Sequence, residues 1–294
     1  MTTMTGRRRV MRVTHGARPD DPTGTGRTVT GRPDTLVTEE PLEMRLNGVP
    51  LAVTMRTPGH DFELAAGFLV AEGVVARATD IVAIRHCADA ERPQDGTVSP
   101  VIAENVVDVT LAPGVEVPHE TLTRHTVTTS ACGLCGKTSL DAVRATTRFD
   151  VSADPVALDA DVVLGLPDRL RAGQRVFDRT GGLHAAGLFT ADGEPVRVRE
   201  DVGRHNAVDK LIGWALQHDL LPLRGRVLVV SGRASFELVQ KAVMAGIPAM
   251  AAVSAPSTLA AELADESGLT LAGFVRGESM NVYTGGDRLG LTRQ

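Results

Sequence analysis

The feature of this 294-residue sequence that most restricts its fold lies in residues 226–275, where three apolar runs alternate with two helical segments. Residues 226–230, 249–253 and 269–275 predict strands. Residues 235–245, closed by Gly246 and Pro248, and residues 257–267, closed by Gly268, predict helices. Strands alternating with helices imply a parallel sheet with right-handed crossovers. Just upstream, residues 183–189 and 195–199 flank Asp192-Gly193 as a hairpin, and Val208, Leu211, Ile212 and Ala215 mark an amphipathic helix. Residues 158–172 predict a further helix in spite of Pro167.

From residue 158 onward the order of elements resembles the α/β core of cytidine deaminases. The zinc chemistry of that fold is missing, because it needs an H-x-E and a P-C-x-x-C motif and no cysteine follows Cys135. Ahead of this core, residues 42–46 and 51–55 form a hairpin about Asn47-Gly48. Asp61 is placed to cap a helix carrying Leu64, Ala65, Phe68 and Leu69 on one face and ended by Gly73, and residues 101–111 return to a strand pattern. Residues 1–33, rich in Arg, Thr, Gly and Pro, have almost no apolar periodicity and predict a disordered tail. The expected organisation is an α/β chain with a cytidine-deaminase-like three-layer core. It comprises the tail at 1–33, a smaller N-terminal α+β domain at 34–119, a flexible loop and linker at 120–150, and the core at 151–294.

The net charge of -5 gives no global reason to expect nucleic acid or an anionic membrane as partner, so any anion site must be local. No apolar run approaches the ~20 residues that span a bilayer, and Arg7, Arg8 and Arg9 are not followed by the apolar stretch of a signal peptide. Three cysteines, Cys87, Cys132 and Cys135, do not make a disulfide framework. A reducing compartment, the cytoplasm, is the expectation. There are only three lysines, Lys137, Lys210 and Lys241, and each falls within a polar motif.

Ligands of open parallel sheets bind outside the carboxyl ends of the strands. Three polar segments are expected on that rim: Ser231-Gly232-Arg233, Ser254-Ala255-Pro256-Ser257, and Arg276-Gly277-Glu278-Ser279. Arginine gives bidentate phosphate contacts, glycine admits close backbone approach, and helix N-termini supply free N–H groups. Together they predict a site for a phosphate- or nucleotide-bearing ligand, while Ser235 and Ser257 each serve equally well as plain helix caps. A second polar block, Glu200-Asp201-Val202-Gly203-Arg204-His205-Asn206 with Asp209 and Lys210, precedes a helix that Asp201 or Asn206 could cap. His184 and His205 lie in Gly-flanked loops on the ligand side, without an assigned role.

Cys132-Gly133-Leu134-Cys135 admits a redox dithiol, half of a zinc site or a sulfur carrier. Zinc would have to recruit Cys87, His86, His119 or His125 at irregular spacing, and a thioredoxin-like dithiol should open a rigid helix after a strand. The Gly, Ser and Thr surroundings instead predict a mobile loop, which suits a persulfide carrier that is loaded by one partner and unloaded onto another. Lys137 is placed to favour the anionic sulfur.

The ordered set Thr57-Pro-Gly-His-Asp-Phe-Glu63, Ser130-Ala-Cys-Gly-Leu-Cys-Gly-Lys137, Thr180-Gly-Gly-Leu-His184, Glu200-Asp-Val-Gly-Arg-His-Asn206 with Asp209-Lys210, Ser231-Gly-Arg-Ala-Ser235 and Ser254-Ala-Pro-Ser257 resembles the FdhD family of formate dehydrogenase accessory proteins. The resemblance runs from about Leu36 to the C-terminus. It implies a homodimeric sulfurtransferase that takes sulfur from a cysteine desulfurase and passes it to the bis(molybdopterin guanine dinucleotide) cofactor of apo formate dehydrogenase. By motif position, Cys132 looks like the persulfide-bearing residue, with Cys135 assisting or sharing the load. Phe274-Val275-Arg276-Gly277-Glu278-Ser279 looks like the cofactor-binding stretch. Ser231, Gly232, Arg233 and Ser254 belong to the same expected site, with no resident metal. The competing reading is a noncatalytic chaperone for the cofactor.

Overall fold

A computed structural model describes residues 3–15, 27–87, 103–117 and 147–291. The chain opens with β1 (Thr5–His15) and β2 (Arg27–Val37), paired antiparallel along their whole length as a two-stranded ribbon. Much of the predicted disordered tail at 1–33 is therefore strand. A two-stranded ribbon pairs the backbone groups between its strands, leaves the outward ones to water and buries almost nothing, so composition does not disclose it.

β3 (Glu40–Leu46) and β4 (Val49–Arg56) form the expected hairpin, with Asn47 and Gly48 both at positive φ, 50° and 83°, as a two-residue turn of this kind requires. After α1 (Asp61–Ala71) come β5 (Ile81–His86) and β6 (Val106–Leu111), giving a four-stranded sheet of order β4-β3-β6-β5. Asp61 does not cap α1. His60 occupies the N-cap position, and the Asp61 carboxylate instead holds the buried Arg56 guanidinium in a bidentate pair, both contacts at 3.0 Å.

The second half contains α2 (Ala160–Gly173), α3 (Phe177–Thr180), β7 (His184–Thr190), β8 (Pro195–Asp201), α4 (Arg204–Gln217), β9 (Arg226–Val230), α5 (Phe236–Met244), β10 (Ala249–Ala252), α6 (Thr258–Glu266), β11 (Thr270–Arg276) and β12 (Ser279–Thr284). Their sheet has the order β12-β11-β10-β9-β7-β8, with β9, β10 and β11 parallel and the flanking pairings antiparallel. Pro167 sits inside α2; burial of Val163, Leu166 and Leu170 holds the helix together around the missing N–H.

One face of this six-stranded sheet packs on α2, through Leu166, Leu170, Phe189, Val229 and Ala251. The opposite face packs on α4, α5 and α6 in a core that continues without a break into α1 and the four-stranded sheet. α4 is consequently buried all round from Asn206 to Leu216, where the sequence pattern predicts a half-exposed helix. It crosses α1 at two glycines: a Cβ on Gly67 would lie 1.9 Å from Asp209 O, and one on Gly213 would lie 1.8 Å from Glu63 O. Only glycine allows two helix backbones this close.

Candidate functional site

Polar block 200–210 divides between two environments. Its buried part ties the chain's two halves together. Asp201 and Lys210 are fully buried, with Lys210 Nζ 2.6 Å from Asp201 Oδ2 and donating to Thr57 O at 2.8 Å. The remaining lone pairs of Asp201 accept from Thr57 N, Gly203 N and Asn206 Nδ2 at 2.8–3.1 Å. Asn206 also donates to Met55 O and accepts from Thr54 Oγ1. Gly203, rather than Asp201 or Asn206, is the N-cap of α4. Next in the helix, Asp209 accepts two bonds from Lys241, at 2.7 and 2.9 Å. Each charge here is paired and hydrogen-bonded, as burial demands. Both described lysines are thus structural ties.

The exposed part faces the carboxyl ends of the parallel strands. Ser254 N donates to Gly232 O and Phe274 N donates to Ser254 O, so the three predicted loops do converge there, with Ala234 and Pro256 forming a parallel bridge. Phe274 takes a positive φ of 52°, a conformation uncommon for an aromatic residue, and Arg276 lies over its ring. Beyond it, Gly277 and Glu278 form the turn into β12. They border a depression lined also by Asp161, Leu164, Gly165 and Asp168, an acidic setting ill suited to phosphate. The stretch 274–279 therefore contributes two unlike surfaces, with Phe274 and Arg276 towards the rim loops and Gly277 and Glu278 at the acidic depression.

Ser257 caps α6 by accepting from Ala260 N. Ser235 occupies the N-cap position of α5 but makes no capping bond; its Oγ lies 3.3 Å from His205 Nε2, which is also 2.7 Å from Glu237 Oε2. Both partners meet the same ring nitrogen, so this is not a Ser–His–acid relay, which needs both nitrogens. The His205 contact pulls the Glu237 carboxyl below its ordinary value against the effect of burial. His184 packs by Gly232, and burial, then Arg204 and His205, push its pKa below the usual imidazole value. Ser231 Oγ accepts from Ala185 N and so serves the sheet. Arg233, Ser254 and Arg276 are exposed.

Arg204, to which the sequence pattern gives no role, starts α4 beside these histidines; its Nε is buried without a hydrogen-bond partner among the described residues. A buried unpaired guanidinium N–H is costly, and an incoming anion would satisfy it. The only sequence sign was its place in the block with His205. Cys132, Cys135, Lys137, His119 and His125 lie outside the described residues. Among the described residues no cluster of His, Cys, Asp and Glu is disposed to hold a metal, and no helix is long and apolar enough to cross a membrane. His86 meets the Phe62 ring at 4.9 Å, next to Cys87.

Fold and rim define a mixed α/β protein that presents an arginine- and histidine-bearing edge at the ends of parallel strands. The profile of the FdhD/NarQ family matches residues 37–290, and the chain belongs to that family. A Streptomyces coelicolor protein named sulfur carrier protein FdhD is 62% identical over 99% of this chain and 98% of its own length. A Mycobacterium tuberculosis protein of the same name is 58% identical over 88% of this chain and 92% of its own. Among solved structures, one from Desulfotalea psychrophila, described as a proposed formate dehydrogenase accessory protein, shares the fold. Its TM-score is 0.67 at 21% identity, covering 98% of this chain and 100% of that one.

Proposed function

We propose that this chain is a sulfurtransferase that accepts persulfide sulfur from a cysteine desulfurase and delivers it to the bis(molybdopterin guanine dinucleotide) cofactor of formate dehydrogenase. The observation that carries the reading is the near-complete match to relatives named sulfur carriers, in a chain that retains Cys132-x-x-Cys135. The Cys132 thiolate attacks the outer sulfur of the donor persulfide; the donor S–S bond breaks and the donor thiolate leaves. Cys135 then attacks the inner sulfur of the Cys132 persulfide. The outer sulfur departs as sulfide towards the molybdenum, and a Cys132–Cys135 disulfide remains for external thiols to reduce.

The cofactor is substrate here, and its guanine dinucleotide phosphates would sit on the rim. Support comes from the unpaired Arg204 Nε, the uncapped first turn of α5, and the exposed Arg233 and Arg276. Glu237 and Glu278 oppose phosphate locally, so the arginines would have to outweigh them. The six-stranded sheet with its helices is read as a cytidine-deaminase-like core, and the protein as a cytoplasmic pair of identical copies.

Intact-mass spectrometry after incubation with a cysteine desulfurase and cysteine tests the chemistry. Wild type is expected to gain one sulfur, about 32 Da, that reductant removes and that Cys132→Ala abolishes. Absence of added sulfur beside an active desulfurase, with formate dehydrogenase activation retained in Cys132→Ala, would replace the carrier by the cofactor-chaperone reading.

A further inference from the structure

The β1–β2 ribbon serves no part of the function proposed above, and it begins outside the segment matched by the family profile. Eleven residue pairs at ~3.3 Å each make it about 35 Å long. Isolated two-stranded ribbons are marginal in water and leave both outer edges unpaired, so a surface that receives the ribbon would stabilise it. Its base is anchored, with Thr38 N donating to Met4 O and Val37 against Gly182. Towards the far end, register places Met11 opposite Gly31 and Val13 opposite Val29, so Met11, Val13 and Val29 share one face, at 80%, 58% and 60% exposure. Arg7, Arg9 and Arg27 lie on that same face, and Arg8, Arg12 and Arg32 on the other.

Charge selects the partner. Residues 1–37 hold seven of the chain's 31 Lys and Arg and three of its 36 Asp and Glu, so they carry +4 while the rest of the chain carries -9. Two ribbons would repel each other; a ribbon and the body of another copy attract. On that body, Val53 and Met55 of β4 are exposed side by side on the outer face of the sheet, and no other strand or helix outside the ribbon among the described residues has more than one exposed large apolar residue. β4 is also an edge strand of its sheet.

We infer that the ribbon is an arm that grips a second copy of this chain, seating its Met11, Val13 and Val29 face on the exposed side of that copy's β4. The inference rests on the two-copy assembly proposed above and names the surface that builds it. A two-fold arrangement gives two equal contacts.

Sedimentation of the full-length protein over a concentration series tests this, with a ribbon variant (Met11→Glu, Val13→Glu) and a body variant (Val53→Glu, Met55→Glu). Each is expected to weaken self-association at least tenfold. An equimolar mixture of the two is expected to associate more tightly than either alone, because one contact is restored; misfolding of either variant would not produce that rescue. Self-association within twofold of wild type in the ribbon variant, or a mixture no tighter than its components, overturns the arm while leaving the two-copy assembly standing. Wild type that stays monomeric at every concentration removes the assembly itself.

Discussion

Residues 200–210 feed two neighbourhoods that share a composition and differ in everything else. In the joint, Asp201, Asn206, Asp209 and Lys210 are buried and their described polar contacts form closed sets; those of Asp201, Asn206 and Lys210 bind Thr54, Met55 and Thr57 at the end of β4 to the core, and Asp209 binds α4 to α5. At the rim, Arg204 and His205 are half-exposed, the Arg204 Nε lacks a partner among the described residues, and Ser235 has given up its capping role. Completed polar networks hold a fold in one geometry, whereas unfinished ones keep bonding capacity for a ligand. Prominence in a motif is therefore no guide to which of these a residue does.

The largest departure between the two regions is expected for Lys210→Ala. Removing the amine strands Asp201 in the interior, at a cost of about 3–5 kcal/mol, so urea unfolding should show a severely destabilised protein. Stability within about 0.5 kcal/mol of wild type would mean that the joint is not closed. Gly213→Ala comes next. Its Cβ would collide with Glu63 O at the α1–α4 crossing, forcing the halves apart at a cost of about 2–3 kcal/mol in the same assay.

Glu63 sharpens the comparison through pH. Burial raises its pKa, but hydrogen bonds from Arg199 at 2.5 and 2.6 Å and from His60 outweigh this and bring it down to about 2, from 4.5. A depressed carboxyl contributes stability above its unfolded value and loses it as pH falls through the folded one. About 2 kcal/mol is expected to vanish between pH 4.5 and about 2, after allowance for solvent screening around the half-exposed His60. In Glu63→Gln the acid limb of the stability profile should flatten over that window; an unchanged limb would assign acid sensitivity elsewhere.

The smallest effect on stability belongs to the rim. Arg233→Ala with Arg276→Ala should leave the unfolding midpoint within about 0.5 kcal/mol of wild type. Calorimetric titration with guanosine diphosphate should nevertheless show affinity at least tenfold weaker. Unaltered binding would remove these two arginines from the nucleotide site.

Much of the fold was legible beforehand. The strands at 226–230, 249–253 and 269–275 and the helices between them fall within a residue or two of β9, β10, β11, α5 and α6, because parallel buried strands read as unbroken apolar runs and glycine marks each helix end. Asn47-Gly48 and Asp192-Gly193 announced their hairpins for the same local reason. The ribbon has no such signal, because it pairs backbones 12 to 32 residues apart and buries almost nothing. At the site, the convergence of the 231, 254 and 274 loops followed from strand order, but the diversion of Ser235 to His205 and the buried, unpartnered Arg204 Nε among the described residues did not.

By itself the sequence determined the local elements, the Cys132-x-x-Cys135 motif and the family resemblance, since these depend on residues near one another along the chain or on ordered motifs. Only the tertiary structure decided which charges are ties and which are available. Asp201 meets Thr57 across 144 positions and Lys241 meets Asp209 across 32, and an ionic group is fixed or free according to the neighbours that folding brings to it, which no local pattern encodes.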